Sequence, residues 1–468
     1  MKILQQKIVE SFSENADSIA IFYRGESFTF EQLKALVAFR TKEIADHLGA
    51  DDELVSIDSE DNLDHWITTL ALILMGVSST PALNNEGLPE RLHNRKSIGT
   101  RSGMSVKVTG YREISQSFPA APLKIVRSSQ GASRVFYSSG TTGLKKAMAV
   151  DFDMMYSRII SSHDFFPHRN SCLSLMPPES VLGFHFQLGQ WLKGGSVHLD
   201  RDFHYISKSI SGKVLNYLVG SPHQIMSFMH DIEGLGRSFR GHFDEIIVSG
   251  AQLTEALQKK IQYVFNSSIV CLYGATETGH WSRKTISGKE DLRKLGRLDQ
   301  GVSAELVYQI AAGHSELRIR SRHMVTEYMS GEPLSVWEDG WFYPGDIGIV
   351  TMDGDIELIG RTNEVMNLGG IKLSLGDLDD FVQGLAGVED AACFGVKDAL
   401  GYTELWMAIV LKDPKQLSML FSVTLDQFGE HASPRRMVPV SMIPRTYSGK
   451  PQRNLMSEVV GKRINSIK

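Results

Sequence analysis

Apolar positions along this chain fall into two alternating periods, one of helices and one of strands. Over residues 28–48, Phe30, Leu33, Val37, Ile44 and Leu48 recur at helical spacing behind Thr29, a side chain suited to capping the first turn. Residues 54–57, LVSI, read as a strand, and residues 63–75 as a second helix closed by Gly76. The βα alternation resumes beyond residue 146. Strands are expected at 146–150, 171–176, 195–199, 217–219, 245–249 and 269–272, with helices over 153–165, 186–192, 222–229 and 254–265 between them. Alternation on this scale predicts an α/β fold, a mostly parallel sheet with helices on its faces. Near Gly313 the texture changes to short strands at 316–320, 341–342, 347–351 and 355–360, with Asp353-Gly354 an expected hairpin turn, and this is read as a β-barrel-like segment. From Arg361 strands and helices mix in a tail of about a hundred residues, enough for a small α+β domain. The expected division is residues 1–360 and 361–468.

Bulk properties narrow the class. A chain of 468 residues has room for two to four domains and a large core. Its net charge of -5 is dispersed, which argues against a nucleic-acid or membrane surface. Cys172, Cys271 and Cys393 have no CxxC spacing, so neither a disulfide framework nor a zinc site is expected and a reduced cytosol fits best. The N-terminus lacks an apolar core of signal-peptide length, and the longest apolar run, residues 66–75, is too short to span a bilayer. A cytoplasmic location is therefore expected. Between residues 88 and 130, Arg91, Arg95, Lys96, Arg101, Lys107 and Arg112 are interleaved with polar residues. The segment reads as a solvated basic surface, or as a landing strip for a phosphate-rich or acidic partner.

Five stretches carry candidate chemistry. Residues 137–146, YSSGTTGLKK, combine glycines that can turn N–H groups onto an anion, hydroxyl donors and a mobile cation. The spacing of Gly140 and Gly143 does not match the common nucleotide P-loop, and alone the stretch reads equally well as a surface turn. In residues 272–279, LYGATETG, a strand ends where open parallel sheets bind ligands. There Tyr273 could stack on a base, Gly274 admits a close backbone approach, Thr276 could donate to a phosphate and Glu277 could hold a magnesium ion. GWFYPGD, residues 340–346, places Asp346 after a Pro-Gly turn, where a carboxylate suits ribose hydroxyls or simply the turn. GRTNEVMNLGG, residues 360–370, presents Arg361, and PRTYSGKPQR, residues 444–453, raises Lys450 on a Ser-Gly turn.

Taken in order, these stretches resemble the adenylate-forming superfamily of acyl-CoA synthetases, peptide-synthetase adenylation domains and luciferases, over nearly the whole chain from FTFEQL at Phe28 to the SGK near the end. The resemblance implies that Ser138, Ser139, Gly140, Thr141, Thr142, Gly143 and Lys146 wrap the β- and γ-phosphates of ATP. It further implies that Gly250, Ala251 and Gln252 line the adenine, that Tyr273 and Gly274 complete its site, and that Thr276 and Glu277 bind phosphate and Mg2+. Asp346 would hold the ribose beside Arg361, and Lys450 would reach the α-phosphate and the acyl carboxylate. The implied reaction activates a carboxylic acid as its adenylate, releases pyrophosphate, and passes the acyl group to coenzyme A or to the phosphopantetheine of an acyl or peptidyl carrier protein. A small, mobile C-terminal domain would rotate between the steps about a hinge at Asn363.

The chain departs from the family pattern in several places. The proline of SGTTGxPK is Lys145, the hinge Asp or Lys is Asn363, the residue after Lys450 is Pro451, and the segment between residues 81 and 135 is short. The family's Pro-x-x-His element maps to residues 177–180, which puts Ser180 where the pocket histidine would stand, with His185 beyond it. No aspartate lies there to pair an α-amino group, so an aryl or fatty acid is expected rather than an α-amino acid. Phe184, His185, Phe186 and Trp281 are candidate walls, although aromatic side chains are more often core. A nucleotide-binding scaffold without turnover is the alternative, and Lys146, Glu277, Asp346 and Lys450 together count against it. A luciferase-like oxidation of the adenylate would be separated from ligation by light emission or oxygen uptake.

Overall fold

Capping chemistry starts the first long helices where the apolar period begins. In the computed structural model, the Thr29 hydroxyl accepts from Gln32 N at 3.2 Å and the Gln32 side chain accepts from Thr29 N at 2.9 Å, a reciprocal box that opens the Phe30–Ala45 helix. The Asn62–Met75 helix is opened by Asp61 and stopped by Gly76 at φ 65°. Every residue from Leu63 to Met75 is buried, so the polar ones need internal partners. Asp64 pairs with the buried Arg40, and His65 Nε2 lies 2.9 Å from the Arg134 guanidinium.

The described residues are 3–49, 52–82, 90–92, 95–99, 111–117, 123, 131–139, 145–161, 170–200, 204–206, 215–234, 238–311, 314–329, 337–362, 364–368, 371–397, 403–430, 432–446 and 449–465. Two sheets dominated by parallel pairing form the large domain. The nine-stranded sheet runs in the order Arg297–Leu298, Gly279–Thr285, Ser268–Ala275, Phe243–Ser249, Leu215–Gly220, Ser171–Ser174, Ser196–His198, Ile19–Tyr23 and Glu26–Thr29. Its strands from Ser268–Ala275 to Ile19–Tyr23 are parallel, and antiparallel partners close both ends. The five-stranded sheet runs Ser97–Ile98, Leu54–Ile57, Ser78–Pro81, Ser133–Ser139 and Lys145–Asp151, parallel except for its last pair. Helices Asn62–Met75 and Val181–Leu192 are packed within the shared core, where Trp66, Phe136, Phe184 and Trp191 meet.

An antiparallel six-stranded sheet over residues 302–361 occupies the segment expected to be barrel-like, with Gly354 at φ 82° in the turn before Ile356–Arg361. Beyond it lies a small C-terminal domain. Its sheet of Val388–Lys397, Thr403–Leu411 and Arg436–Pro439 packs against helices Leu375–Gln383, Leu417–Phe428 and Arg453–Asn465, with apolar clusters of its own around Leu378 and Trp406. Three features went unread in the sequence. The Ile3–Glu14 helix buries Leu4, Ile8 and Phe12 at a spacing of four, and the Ile19–Tyr23 and Glu26–Thr29 strands form a hairpin through Arg24-Gly25. The strand Gly279–Thr285 also runs antiparallel to Ser268–Ala275, so the parallel sheet turns back on itself at this edge. Among the described residues no helix is long and apolar enough to cross a membrane, and all three cysteines are free thiols.

Candidate active site

The phosphate-loop candidate sits at the end of a β-hairpin. Strands Ser133–Ser139 and Lys145–Asp151 pair in register, with Ser138 opposite Lys146, so residues 140–144 connect the two strand ends. Gly140, Thr141, Thr142 and Gly143, and the side chains of Ser139 and Lys145, lie outside the described residues. Lys146 Nζ stands 4.7 Å from the ring centroid of Tyr328, a cation–π contact that holds the cation at the hairpin mouth. Tyr137 is anchored beneath it, its hydroxyl 3.1 Å from Thr80 Oγ1. Of the described cations in the basic segment, Lys96 donates to Asp52 at 2.8 Å and Arg112 lies 3.5 Å from Glu26, which favours the solvated-surface reading there.

Residues 272–279 form a hairpin rather than a strand-to-helix loop. Ser268–Ala275 turns through Thr276, Glu277 and Thr278 into Gly279–Thr285, with a bulge between Tyr273 and Gly274. A Cβ on Gly274 would lie 2.4 Å from Gly279 O, so only glycine permits this closure. The turn is pinned from outside by Arg158, a wholly buried side chain of the Phe152–Ser161 helix. Its guanidinium donates to the carbonyls of Glu277 at 2.9 Å, Thr276 at 3.3 Å and His323 at 2.9 Å. Arg158 was not singled out in the sequence, though a cation on the apolar face between Met155 and Ile159 is the signal that could have found it. Glu277 is buried at the turn, Tyr273 stands edge-on to Trp281 at 5.0 Å, and Gly250, Ala251 and Gln252 are exposed at the carboxyl end of the neighbouring Phe243–Ser249 strand.

Asp346 and Arg361 face each other across adjacent antiparallel strands, with Arg361 Nε 2.9 Å from Asp346 Oδ1. The second carboxylate oxygen, Oδ2, is buried without a hydrogen bond. Burial pushes the Asp346 carboxyl up despite Arg361 and Lys450, while Asp346 holds the guanidinium of Arg361 above its ordinary value. Lys450 reaches the same cluster from the C-terminal domain. Burial, then Arg361, lower its ammonium to about 8, while Asp346, Glu364 and Glu277 pull the other way. Its loop is built for position. Arg445 holds Asp390 at 3.0 and 2.5 Å and donates to Gly449 O at 2.7 Å, Thr446 Oγ1 accepts from Lys450 N at 3.1 Å, and Gly449 abuts His223 of the large domain. A second bridge between the domains joins Arg293 to Asp377 at 2.5 Å. Asn363, the expected hinge, and Gly369-Gly370 lie outside the described residues.

The expected pocket residues divide by role. Ser180 caps the Val181–Leu192 helix, accepting from Gly183 N at 3.1 Å and donating to Pro177 O at 2.8 Å, so its hydroxyl is engaged locally. Phe184 packs between Trp66 and Phe136 under Arg134, and Trp281 is wholly buried against Tyr273 and Phe342, donating to Thr278. Both are core side chains. His185 is buried nearby and lies outside any hydrogen bond.

No cluster of three or more metal-ligating side chains occurs among the described residues, so a magnesium ion here would draw on Glu277 and on substrate phosphates. Magnesium is commonly held in that way, by one or two carboxylates with phosphate oxygens. The unpartnered Asp346 Oδ2 is likewise an acceptor suited to a sugar hydroxyl.

Comparison with known proteins matches this arrangement to one family. The model of the AMP-binding enzyme family matches residues 8–328, and that of the AMP-binding enzyme C-terminal domain matches residues 377–450. A 4-chlorobenzoate--CoA ligase of Arthrobacter sp. is 24% identical over 93% of this chain and 91% of its own. A 2-succinylbenzoate--CoA ligase of Listeria innocua is 22% identical over 94% and 96%. ATP-bound MatB from Rhodopseudomonas palustris superposes with a TM-score of 0.80 at 17% identity, over 98% of this chain and 99% of its own.

Proposed function

The chain belongs to the AMP-binding, adenylate-forming enzyme family, and from that premise we propose that it is an ATP-dependent acid–thiol ligase that activates an aryl carboxylic acid and passes it to coenzyme A. The observation that carries this reading is the meeting of Glu277, Asp346, Arg361 and Lys450, drawn from distant parts of the sequence and from both domains.

A carboxylate is a poor acyl donor. In the first step its oxygen attacks the α-phosphorus of ATP, the bond to the β-phosphate bridging oxygen breaks, and pyrophosphate leaves with the electron pair. Negative charge gathers on the α-phosphoryl oxygens, where Lys450 donates and compensates it. Residues 138–146 hold the β- and γ-phosphates, Gly250, Ala251, Gln252, Tyr273 and Gly274 border the base, Thr276 donates to phosphate, and Asp346 accepts from the ribose with Arg361 fixing its orientation. Glu277 would hold Mg2+, which supplies charge compensation on the leaving group. In the second step a thiolate attacks the acyl carbon and AMP leaves.

Coenzyme A is favoured as acceptor because the similar curated proteins are CoA ligases, and a carrier-protein phosphopantetheine is the second acceptor to test. We take residues 1–360 as the ATP- and acid-binding domain and 361–468 as the mobile domain carrying Lys450, turning about Asn363 between the steps. Ser180 and His185 are retained for the acid pocket, and a cytoplasmic location fits the free thiols. Mass-spectrometric detection of an acyl adenylate from a mixture of acids, with and without coenzyme A, tests the proposal. The expected result is an adenylate that coenzyme A converts to a thioester. Folded protein that yields neither product would overturn it.

A further inference from the structure

The strand that carries Lys146 runs through Asp151 directly into the Phe152–Ser161 helix, whose first turn is capped by Asp151 Oδ1 accepting from Met154 N at 2.8 Å. The second turn of that helix carries Arg158, buried against the Thr276–Glu277 turn. All three guanidinium nitrogens donate there, Nε to His323 O, Nη1 to Thr276 O and Nη2 to Glu277 O. The Thr276 and Glu277 carbonyls belong to the two planar peptide units that flank the Glu277 Cα, so one rigid fork holds both planes. With both planes held, the direction in which the Glu277 side chain leaves the backbone is set as well.

The third carbonyl extends this hold to a second element. From His323 to Met329 the chain forms a strap between the Glu277 turn and the Lys146 hairpin. Val325 N donates to Glu277 O at 2.9 Å, Met329 N donates to Ala147 O at 2.9 Å, and the Tyr328 ring takes the Lys146 ammonium at 4.7 Å. The connections therefore close on themselves, from Lys146 along its strand and helix to Arg158, across to His323, and back along the strap to Lys146. A buried cation must recover its lost hydration from its partners, and here those partners are backbone carbonyls of the turn and of the strap. Burial lowers the guanidinium to about 10, with Glu277 and Asp151 opposing, so it stays charged at neutral pH.

We propose that Arg158 is a positioning residue of the nucleotide site, which sets the Glu277 carboxylate in a fixed place relative to Lys146 and so acts on magnesium-bound ATP through Glu277 without touching it. The inference rests on the nucleotide-binding part of the reading above and adds to it a residue that lies outside the sequence motifs. Lysine is no equivalent here, because a compact ammonium on a flexible stem lacks the planar fork that holds two adjoining peptide units at once.

The test is calorimetric titration of the full chain with ATP in magnesium chloride, across a cycle of Arg158→Met and Glu277→Gln. Arg158→Met should raise the Kd for magnesium ATP by about tenfold or more, as the loss of an outer-shell contact does at metal sites. In the Glu277→Gln background the same change should cost no more than about twofold, because the carboxylate that Arg158 places is already gone. Arg158→Lys should weaken binding by an intermediate factor, again only where Glu277 is intact. Should Arg158→Met not fold, the cycle run with Arg158→Lys decides. Equal weakening in both backgrounds, which a merely structural arginine would give, or no weakening by either variant, overturns the inference while leaving the ligase reading intact. Magnesium ATP that binds with the expected cycle while no acid in the mixture yields an adenylate overturns the ligase reading alone. Wild-type protein that does not bind magnesium ATP overturns both.

Discussion

Replacing Lys450 by methionine separates what this lysine does for the reaction from what it costs the fold. Burial first, and then the Arg361 guanidinium, push its ammonium down from an ordinary 10.5 to about 8 in the folded protein. At 1.36 kcal/mol per pH unit this would be about 3 kcal/mol for a fully sealed group. Lys450 keeps partial exposure, so solvent screening reduces the figure to about 1–2 kcal/mol. The sign follows from the depressed value. Below pH 8 the charged form is present folded and unfolded, and the folded state carries the whole penalty. As pH rises from 8 to 10.5 the folded-state lysine loses its proton first and the penalty fades. Methionine keeps the unbranched stem without the charge. Lys450→Met should therefore be more stable than wild type by about 1–2 kcal/mol at pH 7, and the difference should vanish near pH 10.5, as read by urea unfolding without nucleotide. Pyrophosphate exchange should fall by about 10²-fold or more in the same variant. A variant less stable than wild type at pH 7, or a difference independent of pH, would refute the reasoning.

Glu277→Gln keeps volume and removes charge, and should lower kcat/KM for exchange by about 10²-fold while raising the magnesium concentration needed for half-maximal rate. Gly274→Ala drives a Cβ to 2.4 Å from Gly279 O and 2.5 Å from His280 Cα, so the variant should lose about 1–3 kcal/mol in unfolding titrations and weaken ATP binding in calorimetry. Arg445→Met releases Asp390 and Gly449 O, and with them the loop that aims Lys450. It should lower kcat for adenylation more than it raises KM for ATP, and Arg445→Lys should restore part of the loss; an equal change in both constants would contradict a positioning role.

The alternation of strand and helix was legible because each segment serves the same side of a layer. Thr29, Asp61 and Gly76 stop and start helices by local hydrogen bonding, which sequence carries directly. The Thr276–Glu277 turn was harder, since whether Ser268–Ala275 continues into a hairpin depends on its long-range partner Gly279–Thr285 and on Arg158 reaching from another helix. The same limit applies to the pocket. Phe184 and Trp281 have the composition of pocket walls, yet tertiary packing against Trp66 and Phe342 makes them core. Asp346, Arg361 and Lys450 were legible as motifs, but the pairing of Asp346 with Arg361 and the burial of Lys450 within reach of their charges are products of the fold.

The most direct test of the account is ATP–pyrophosphate exchange measured with and without a panel of carboxylic acids, since exchange requires reversible attack of a carboxylate on the α-phosphorus. The account predicts label incorporation into ATP only when an accepted acid is present, and its loss in Lys450→Met. Exchange that proceeds without acid, or survives intact in Lys450→Met, would contradict it.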